Sequence, residues 1–263
     1  MEQPEQPKGT AAAGPGTVDK AIDVLFHLHG SSGSRGVTAI ARELGLAKSS
    51  THRLLTTLVR RGLVEQDERG RYRPGIGLVA LGLGALEREP AVVAARPVLE
   101  EEAEALGETF FLVGLRAQEI VVLDKVEGTG FLRAAPRVGA SVPVHATAVG
   151  KLYLAFAGAE VSFPAGPLEE FTASTATDPG ALRAAVAETK LRRWASNRDE
   201  WIPGLSVLAA PVLPGEGRGE RMVAAVALAM PSQRLEEFGE EPLARRVVAA
   251  GARIAARLEG SGQ

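Results

Sequence analysis

The stretch VPVHATAVGK, residues 142 to 151, brings His145 close to the dipeptide Gly150-Lys151. Three chemistries are open to such a grouping: a phosphate loop, a catalytic histidine, or an anion held at a helix start. A phosphate loop needs GxxxxGK followed by Ser or Thr, so that backbone amides wrap the phosphates and a hydroxyl reaches magnesium. Here Leu152 follows Lys151, and His145 stands where the first glycine belongs, so that reading fails. A catalytic His145 needs a nucleophile and an orienting acid. Ser141 and Thr147 are nearby hydroxyls, but there is no GxSxG elbow, and no Asp or Glu lies between Glu127 and Glu160. What remains is a strand, VPV, entering a helix through HAT, with Thr147 as cap and small neighbours, Ala146 and Ala148, that let a ligand approach the first amides. Unpaired N–H groups and the macrodipole favour an anion there. A carboxylate-bearing small molecule is the natural guest of Thr147, Ala148, Val149 and Gly150. In that reading His145 and Lys151 are structural; the competing reading is that Thr147 simply caps a helix and Gly150 permits close packing.

Other chemistries are thinly supplied. The chain has no cysteine, which excludes disulfides, iron–sulfur clusters and thiolate zinc sites, and a reducing compartment is the natural inference. The four histidines, His27, His29, His52 and His145, are scattered and form no HExxH, so no metal site and no cofactor is expected.

Charge is more informative in its placement than in its total of -2. Residues 35 to 73 carry nine Lys and Arg against four acids, an excess of five, whereas residues 74 to 263 sum to -5. A basic module ahead of an acidic body suggests a polyanion-binding domain joined to something else. Within the module, VDKAIDVLFHLHG has apolar positions Val18, Ala21, Ile22, Leu25 and Leu28 at helical spacing. VTAIARELG gives a second, short helix with Ile40, Ala41 and Leu44 inward, stopped by Gly45. The third, AKSSTHRLLTTLVRRG, buries Thr51, Leu54, Leu55, Leu58 and Val59. Two helices joined by the tight GLA turn make a helix-turn-helix, and LVEQDERGRYRPG adds a hairpin with strands at 63 to 66 and 71 to 73. This is a winged helix-turn-helix. A helix fits the DNA major groove, where short polar and basic side chains near its start read base edges. Lys48, Ser49, Ser50, His52 and Arg53 are placed for that role, although His52 equally suits a plain solvent-facing position. Thr38 joins the DNA-binding set from the second helix. Arg60, Arg61, Arg69 and Arg71 suit phosphate contacts, which supply affinity and salt dependence.

Beyond the module, PGIGLVALGLGALEREP predicts a connecting helix over 75–90, with Ile76, Val79, Leu83 and Leu86 at helical spacing. A helix over 91–107 follows, in which Pro97 marks a kink or a new start. Strand-like runs come next at 109–116, 119–127, 130–136, 206–213 and 221–230, with helices at 147–157 and 180–194. A last helix reaches Leu258 and buries Leu243, Val247, Gly251, Ile254 and Leu258; its Arg245, Arg246, Arg253 and Arg257 read as a solvated face. An antiparallel sheet with flanking helices makes this an α+β domain. The predicted organisation is a disordered tail at 1–17, a DNA-binding domain at 18–74, a linker helix at 75–90 and an effector-binding and oligomerisation domain at 91–260. The start lacks the basic residues and apolar run of a signal peptide, and no uncharged run reaches the ~20 residues of a membrane span, so no membrane partner and a cytoplasmic location are expected.

TVDKAIDVLFHLH, VTAIARELGLAKSSTHRLLTTLVRRGLVEQDERGRYRPG, VPVHATAVGKLYLAF and EWIPGLSVLAAPV together resemble the IclR family of bacterial transcriptional regulators. The resemblance runs from about Thr17 to Leu258. It implies a homodimer or homotetramer that binds palindromic double-stranded operator DNA and senses a small-molecule effector, often an organic or aromatic acid, in its C-terminal domain. The connecting helix would pass the signal. It also places Leu205, Val207, Ala227 and Ala229 with Thr147 to Gly150 as effector-binding residues. The sequence departs from the family where cysteine often precedes AAPV, here Val207, and where members binding small oxo-acids carry hydroxyls, here Ala227 and Ala229. Fewer polar partners then await the guest, which points to one acid group on a substantial apolar or aromatic body. Ala47 stands where Ser or Pro would often start the recognition helix, with Ser49 as a substitute cap. A metabolite-converting enzyme with an appended DNA-binding domain stays open as another class, though no nucleophile, base and orienter converge in the sequence. So does a regulator without an effector, which the apolar pocket positions favour.

Overall fold

The computed structural model describes residues 16–116, 118–130, 136–215 and 221–260. Most of the predicted tail, and most of the strand predicted at 130–136, lie outside these residues. The chain divides after Ala85 into two compact units.

The first unit begins with α1 (Thr17–Gly30), whose first turn is closed by Asp19, which accepts the Gly16 N–H at 2.7 Å. Next come α2 (Val37–Glu43) and α3 (Lys48–Arg60). Between them Gly45 sits at φ +63°, the left-handed conformation that turns the chain. The core gathers Val24, Leu28, Ile40, Leu55, Leu58, Val64 and Tyr72. On α1 the inward stripe is therefore Ala21, Val24, Leu25 and Leu28. The expected core positions Val18 and Ile22 are instead exposed, with Phe26 beside them. Both stripes satisfy the helical period, so spacing alone could not choose between them. On α3, Val59 likewise stays at the surface while Thr51, Leu55 and Leu58 are buried. The substitute cap does not form: Ala47 is the N-cap without a side-chain bond, and Ser49 lies inside the first turn.

Strands β1 (Val64–Gln66) and β2 (Tyr72–Pro74) pair antiparallel. Asp67 builds the tip between them. Its Oδ1 accepts the amides of Arg69 (3.0 Å) and Arg71 (2.9 Å), and its Oδ2 accepts from the Ser34 hydroxyl (2.7 Å). These donors, the Arg71 amide first, hold its carboxyl below the usual range. Buried Tyr72 exchanges two backbone hydrogen bonds with Arg35, tying the wing to the α1–α2 connection.

Helix α4 (Ile76–Leu86) has no buried residue, and Ile76, Val79, Leu81 and Leu83 are each more than half exposed. In the second unit, α5 (Pro90–Leu106) accommodates Pro97 without ending. The sheet has five strands in the order β4-β3-β7-β6-β5, every neighbouring pair antiparallel. These are β3 (Thr109–Arg116), β4 (Glu119–Val126), β5 (Ala195–Arg198), β6 (Leu205–Val212) and β7 (Ala224–Pro231). Alternation along each strand sorts the side chains. Phe110, Leu112, Leu208, Val226 and Leu228 face α5 and α9 (Glu240–Gly260). Phe111, Val113, Ala209, Ala225, Ala227 and Ala229 face α6 (Ala148–Phe156). Outside α6 packs α7 (Pro179–Arg192), through Leu154, Leu182 and Val186. A short α8 (Ser232–Phe238) precedes α9, and Gly239, at φ +79°, separates them.

Three of the four arginines expected on a solvated face of α9 are engaged with α5, while Arg245 is exposed. Arg246 and Arg253 both pair with the buried Glu102 of α5, and the Arg257 Nε donates to the Ala94 carbonyl at 3.1 Å. They lock α9 onto α5.

Candidate functional site

On the first unit, the 100° step of α3 puts Ser49, Arg53 and Arg60 on the face opposite Thr51, Leu55 and Leu58. Lys48, Ser49, Ser50, His52, Arg53 and Arg60 are all exposed, as are Thr38 on α2 and Arg69 and Arg71 at the wing tip. Among the described residues no carboxylate pairs with Lys48, Arg53, Arg60 or Arg69, whereas Arg73 is spent on Glu65 at 3.0 Å. The free cations thus sit on the exposed face of α3 and at the wing tip, the pattern that a polyanion reads. Sequence reasoning missed Thr17 and Lys20 of α1, which share a surface depression with Ser50, Arg53 and Thr57. Spacing along α1 gave no sign of this, because only packing brings its first turn beside α3.

On the second unit, α6 begins where expected, with Thr147 as N-cap. The Thr147 Oγ1 accepts the Gly150 amide at 3.0 Å and donates to the Pro143 carbonyl at 2.7 Å. This corrects the expectation for Gly150: its N–H is consumed by the cap and is not offered to a guest. A Cβ at Gly150 would lie 1.9 Å from the Val144 carbonyl oxygen, so glycine is there for close packing. The amides of Ala148 and Val149 take no acceptor among the described residues.

A cavity lies between α6 and the sheet. Thr147, Val149, Leu205, Val207, Ala227 and Ala229 of the expected effector set line it, while Ala148 and Gly150 do not. The remaining wall was not anticipated: Phe111 and Val113 from β3, Val122 from β4, Asn197 from β5, and Pro136, Val142 and Trp201 from loops. Strand β5 itself was missed because ASNR is short and polar, without the apolar alternation that marks a strand. The cavity holds about 40 Å³, close to the roughly 30 Å³ share of one liquid water and far below the ~300–1,000 Å³ of ordinary ligand pockets. Any organic guest must part its walls.

His145 and Lys151 take structural partners. His145 is buried, with Nε2 2.8 Å from the Glu169 carbonyl oxygen and its ring stacked on Phe171. The Lys151 Nζ reaches Glu200 Oε1 and Oε2 at 2.6 and 2.9 Å and the Ser196 carbonyl at 3.0 Å. That clamp holds the chain on both sides of Asn197 and next to Trp201, so Lys151 shapes the cavity without lining it.

A larger cleft, about 500 Å³, opens among Glu89, Arg116, Tyr153, Glu160, Arg221 and Glu259. Its cations are already paired, Arg116 with Glu89 at 2.7 Å and Arg221 with Glu160 at 2.9 Å. The Tyr153 hydroxyl donates to the Val113 carbonyl at 3.2 Å, and burial raises its pKa. The smaller cavity, beside the amides of a helix start, is the better candidate for an acid. Among the described residues no three His, Cys, Asp or Glu gather as a metal site, and no helix is long and apolar enough to cross a membrane.

Two family profiles cover the chain: the IclR helix-turn-helix domain over residues 17–68, and the bacterial transcriptional regulator IclR C-terminal domain over residues 83–256. The HTH-type transcriptional regulator XynR of Escherichia coli (strain K12) is 32% identical over 225 residues, 84% of this chain and 88% of that protein. The glycerol operon regulatory protein of Streptomyces griseus is 33% identical over 223 residues, 83% of this chain and 86% of that one. Among solved structures, an IclR homolog from Microbacterium hydrocarbonoxydans, complexed with 4-hydroxybenzoate, superposes with a TM-score of 0.80 at 24% identity, covering 93% of this chain and 100% of its own. The chain belongs to the IclR family, and it is a DNA-binding transcriptional regulator.

Proposed function

We propose that this regulator reads its operator through α3, with Lys48, Ser49, Ser50, His52 and Arg53 at base edges and Thr38, Arg60, Arg69 and Arg71 on the flanking backbone. The observation that carries the assignment is the unpaired basic face of α3 beside a wing whose tip is also basic. The test is binding to an operator selected from a random-sequence pool. Arg53→Ala should weaken that complex by about 1–3 kcal/mol and random DNA far less. Equal losses on both would reduce Arg53 to a phosphate contact.

The second unit serves as the sensor, not as an enzyme. Its effector is a small organic acid with an apolar or aromatic body, bound between α6 and the sheet with its carboxylate toward the Val149 amide. The apolar walls and that free amide support this reading, and the solved neighbour that holds 4-hydroxybenzoate is in keeping with it. Tight binding of a minute acid such as glyoxylate, with none of any aromatic acid, would overturn it. The small size of the cavity, about 40 Å³, favours a second reading, a regulator that works without effector. A thermal-shift panel in which no acid stabilises the protein while DNA binding persists would select that reading.

The working form is a homodimer or homotetramer in the cytoplasm. Supporting this, α4 has an apolar surface with nothing buried, and Val18, Ile22 and Phe26 add an apolar strip to α1. A helix apolar on most sides belongs in an interface, and a second copy satisfies both strips while supplying the second half-site reader. A monomer by sedimentation at micromolar concentration would refute it.

A further inference from the structure

The larger cleft of the second unit takes no part in sensing an acid. Its volume of about 500 Å³ lies within the ~300–1,000 Å³ of ordinary ligand pockets. Its floor is apolar, and Ala91, Tyr153 and Met222 are each at most 6% exposed. Charged side chains reach it from five separate elements of the chain, and their sum decides the guest. Arg116 pairs with Glu89 at 2.7 Å, and its Nη1 donates to the Leu115 carbonyl at 2.8 Å. Arg221 pairs with Glu160 at 2.9 Å. Glu259 accepts the Gly215 amide, but among the described residues no Lys or Arg pairs with it. Glu89, Glu160 and Glu259 thus outnumber Arg116 and Arg221 by one negative charge. An ionised carboxylate accepts at about four positions, so acceptors remain after these bonds. A carboxylate guest would have to take an arginine from its partner and sit among three like charges. A cation finds a charge that nothing opposes, above a floor that suits hydrocarbon.

We propose that this cleft is a second ligand site of the regulator and that its ligand is an organic ammonium with an apolar body. The ammonium donates to Glu259, and the body lies on Ala91, Leu115 and Met222. The site is separate from the cavity between α6 and the sheet, and it selects the opposite charge. One element nevertheless touches both guests: α6 gives Val149 to the wall of the cavity and Tyr153, one turn later, to that of the cleft. The cleft also reaches the start of α5, because Glu89, the N-cap residue of that helix, spends its side chain on Arg116 and makes no cap with it.

The test is calorimetry on the full chain at pH 7 with matched pairs: hexylamine against 1-hexanol, and 2-phenylethylamine against 2-phenylethanol. The members of a pair have nearly the same shape and differ in charge, since an alkylammonium titrates near 10. At least one amine should bind at one site per chain, about 5- to 15-fold tighter than its alcohol, as one charge-assisted hydrogen bond at a partly exposed carboxylate provides. Glu259→Gln, which keeps an acceptor for the Gly215 amide, should bring that ratio to within about twofold of unity. Ala157→Phe, on the wall of the cleft, should abolish amine binding, with far-UV circular dichroism confirming the fold; Val223→Phe serves if that variant does not fold. Failure of both amines to bind, equal binding of amine and alcohol, a preference that survives Glu259→Gln, or amine binding that survives a folded wall variant each overturns the proposal. None of these outcomes touches the acid-sensing cavity, whose own test uses acids.

Discussion

Lys151→Met separates a structural from an ornamental reading of the lysine in HATAVGK. The side chains of Lys151 and Glu200 are 8% and 15% exposed, and the ammonium makes three short contacts, two to the carboxylate and one to the Ser196 carbonyl. Removing one partner of such a pair leaves a buried charge without compensation and costs about 3–5 kcal/mol, whereas replacing both with apolar groups is often near neutral. Lys151→Met should therefore cost about 3–5 kcal/mol, and the double variant Lys151→Met/Glu200→Leu should recover a large part of it. For a domain of this size each kcal/mol moves Tm by about 2–4 °C, so the single variant should melt roughly 6–20 °C lower. Urea unfolding of the natural protein, both singles and the double forms a complete cycle. A cost below 1 kcal/mol for Lys151→Met, or single effects that simply add, would show a solvent-screened pair and remove the argument that this clamp holds Asn197 and Trp201 in place.

Further outcomes rest on the same geometry. Gly150→Ala drives a Cβ onto the Val144 carbonyl at 1.9 Å and should cost at least about 3 kcal/mol, at the upper end of overpacking; an unchanged urea midpoint would refute the close-packing account. Asp67 has a lowered pKa, so its support of the wing is fully present above the ordinary carboxylate value near 3.9 and is lost as pH falls through the lowered one. The protection of the Arg69 and Arg71 amides, measured against the intrinsic exchange rate at each pH, should accordingly be lost in Asp67→Ala at pH 7 and fall in the natural protein only in acid; equal protection in both forms would contradict the turn. Arg71→Ala should weaken operator and random DNA alike and reduce the salt slope of log K by about 0.9, while an undiminished slope would take the wing off the phosphates.

The first unit was legible because its signals are local: a glycine at Gly45, a charged tip at Asp67, and a stripe on α3 interrupted by cations. The choice between stripes on α1 was not, since Val18 and Ile22 keep the same spacing as Val24 and Leu28 and only the position of α3 decides which is inside. Half of the cavity was equally hidden. Thr147 and Val149 announce themselves by standing at a helix start, but Asn197 lies on a four-residue polar strand that no periodicity marks, and it reaches the cavity only because β5 pairs with β6. The α9 arginines misled for a related reason: Arg246 and Arg253 meet Glu102 across 144 and 151 positions of chain, a separation at which sequence carries no pairing rule.

The cavity itself is written in side-chain volume more than in polarity. β7 is buried on both faces, so its hydropathy does not alternate, yet its sizes do: Ala225, Ala227 and Ala229 point toward α6, Val226, Leu228 and Met230 toward α5 and α9. Each alanine leaves space that a leucine would fill, and the dispersion attraction missing along that wall destabilises the empty state. A sheet that keeps this row of alanines borders a cavity of about 40 Å³, room along α6 that larger side chains on β7 would take. With no hydroxyl at 207, 227 or 229, the wall that these strands offer a guest is apolar.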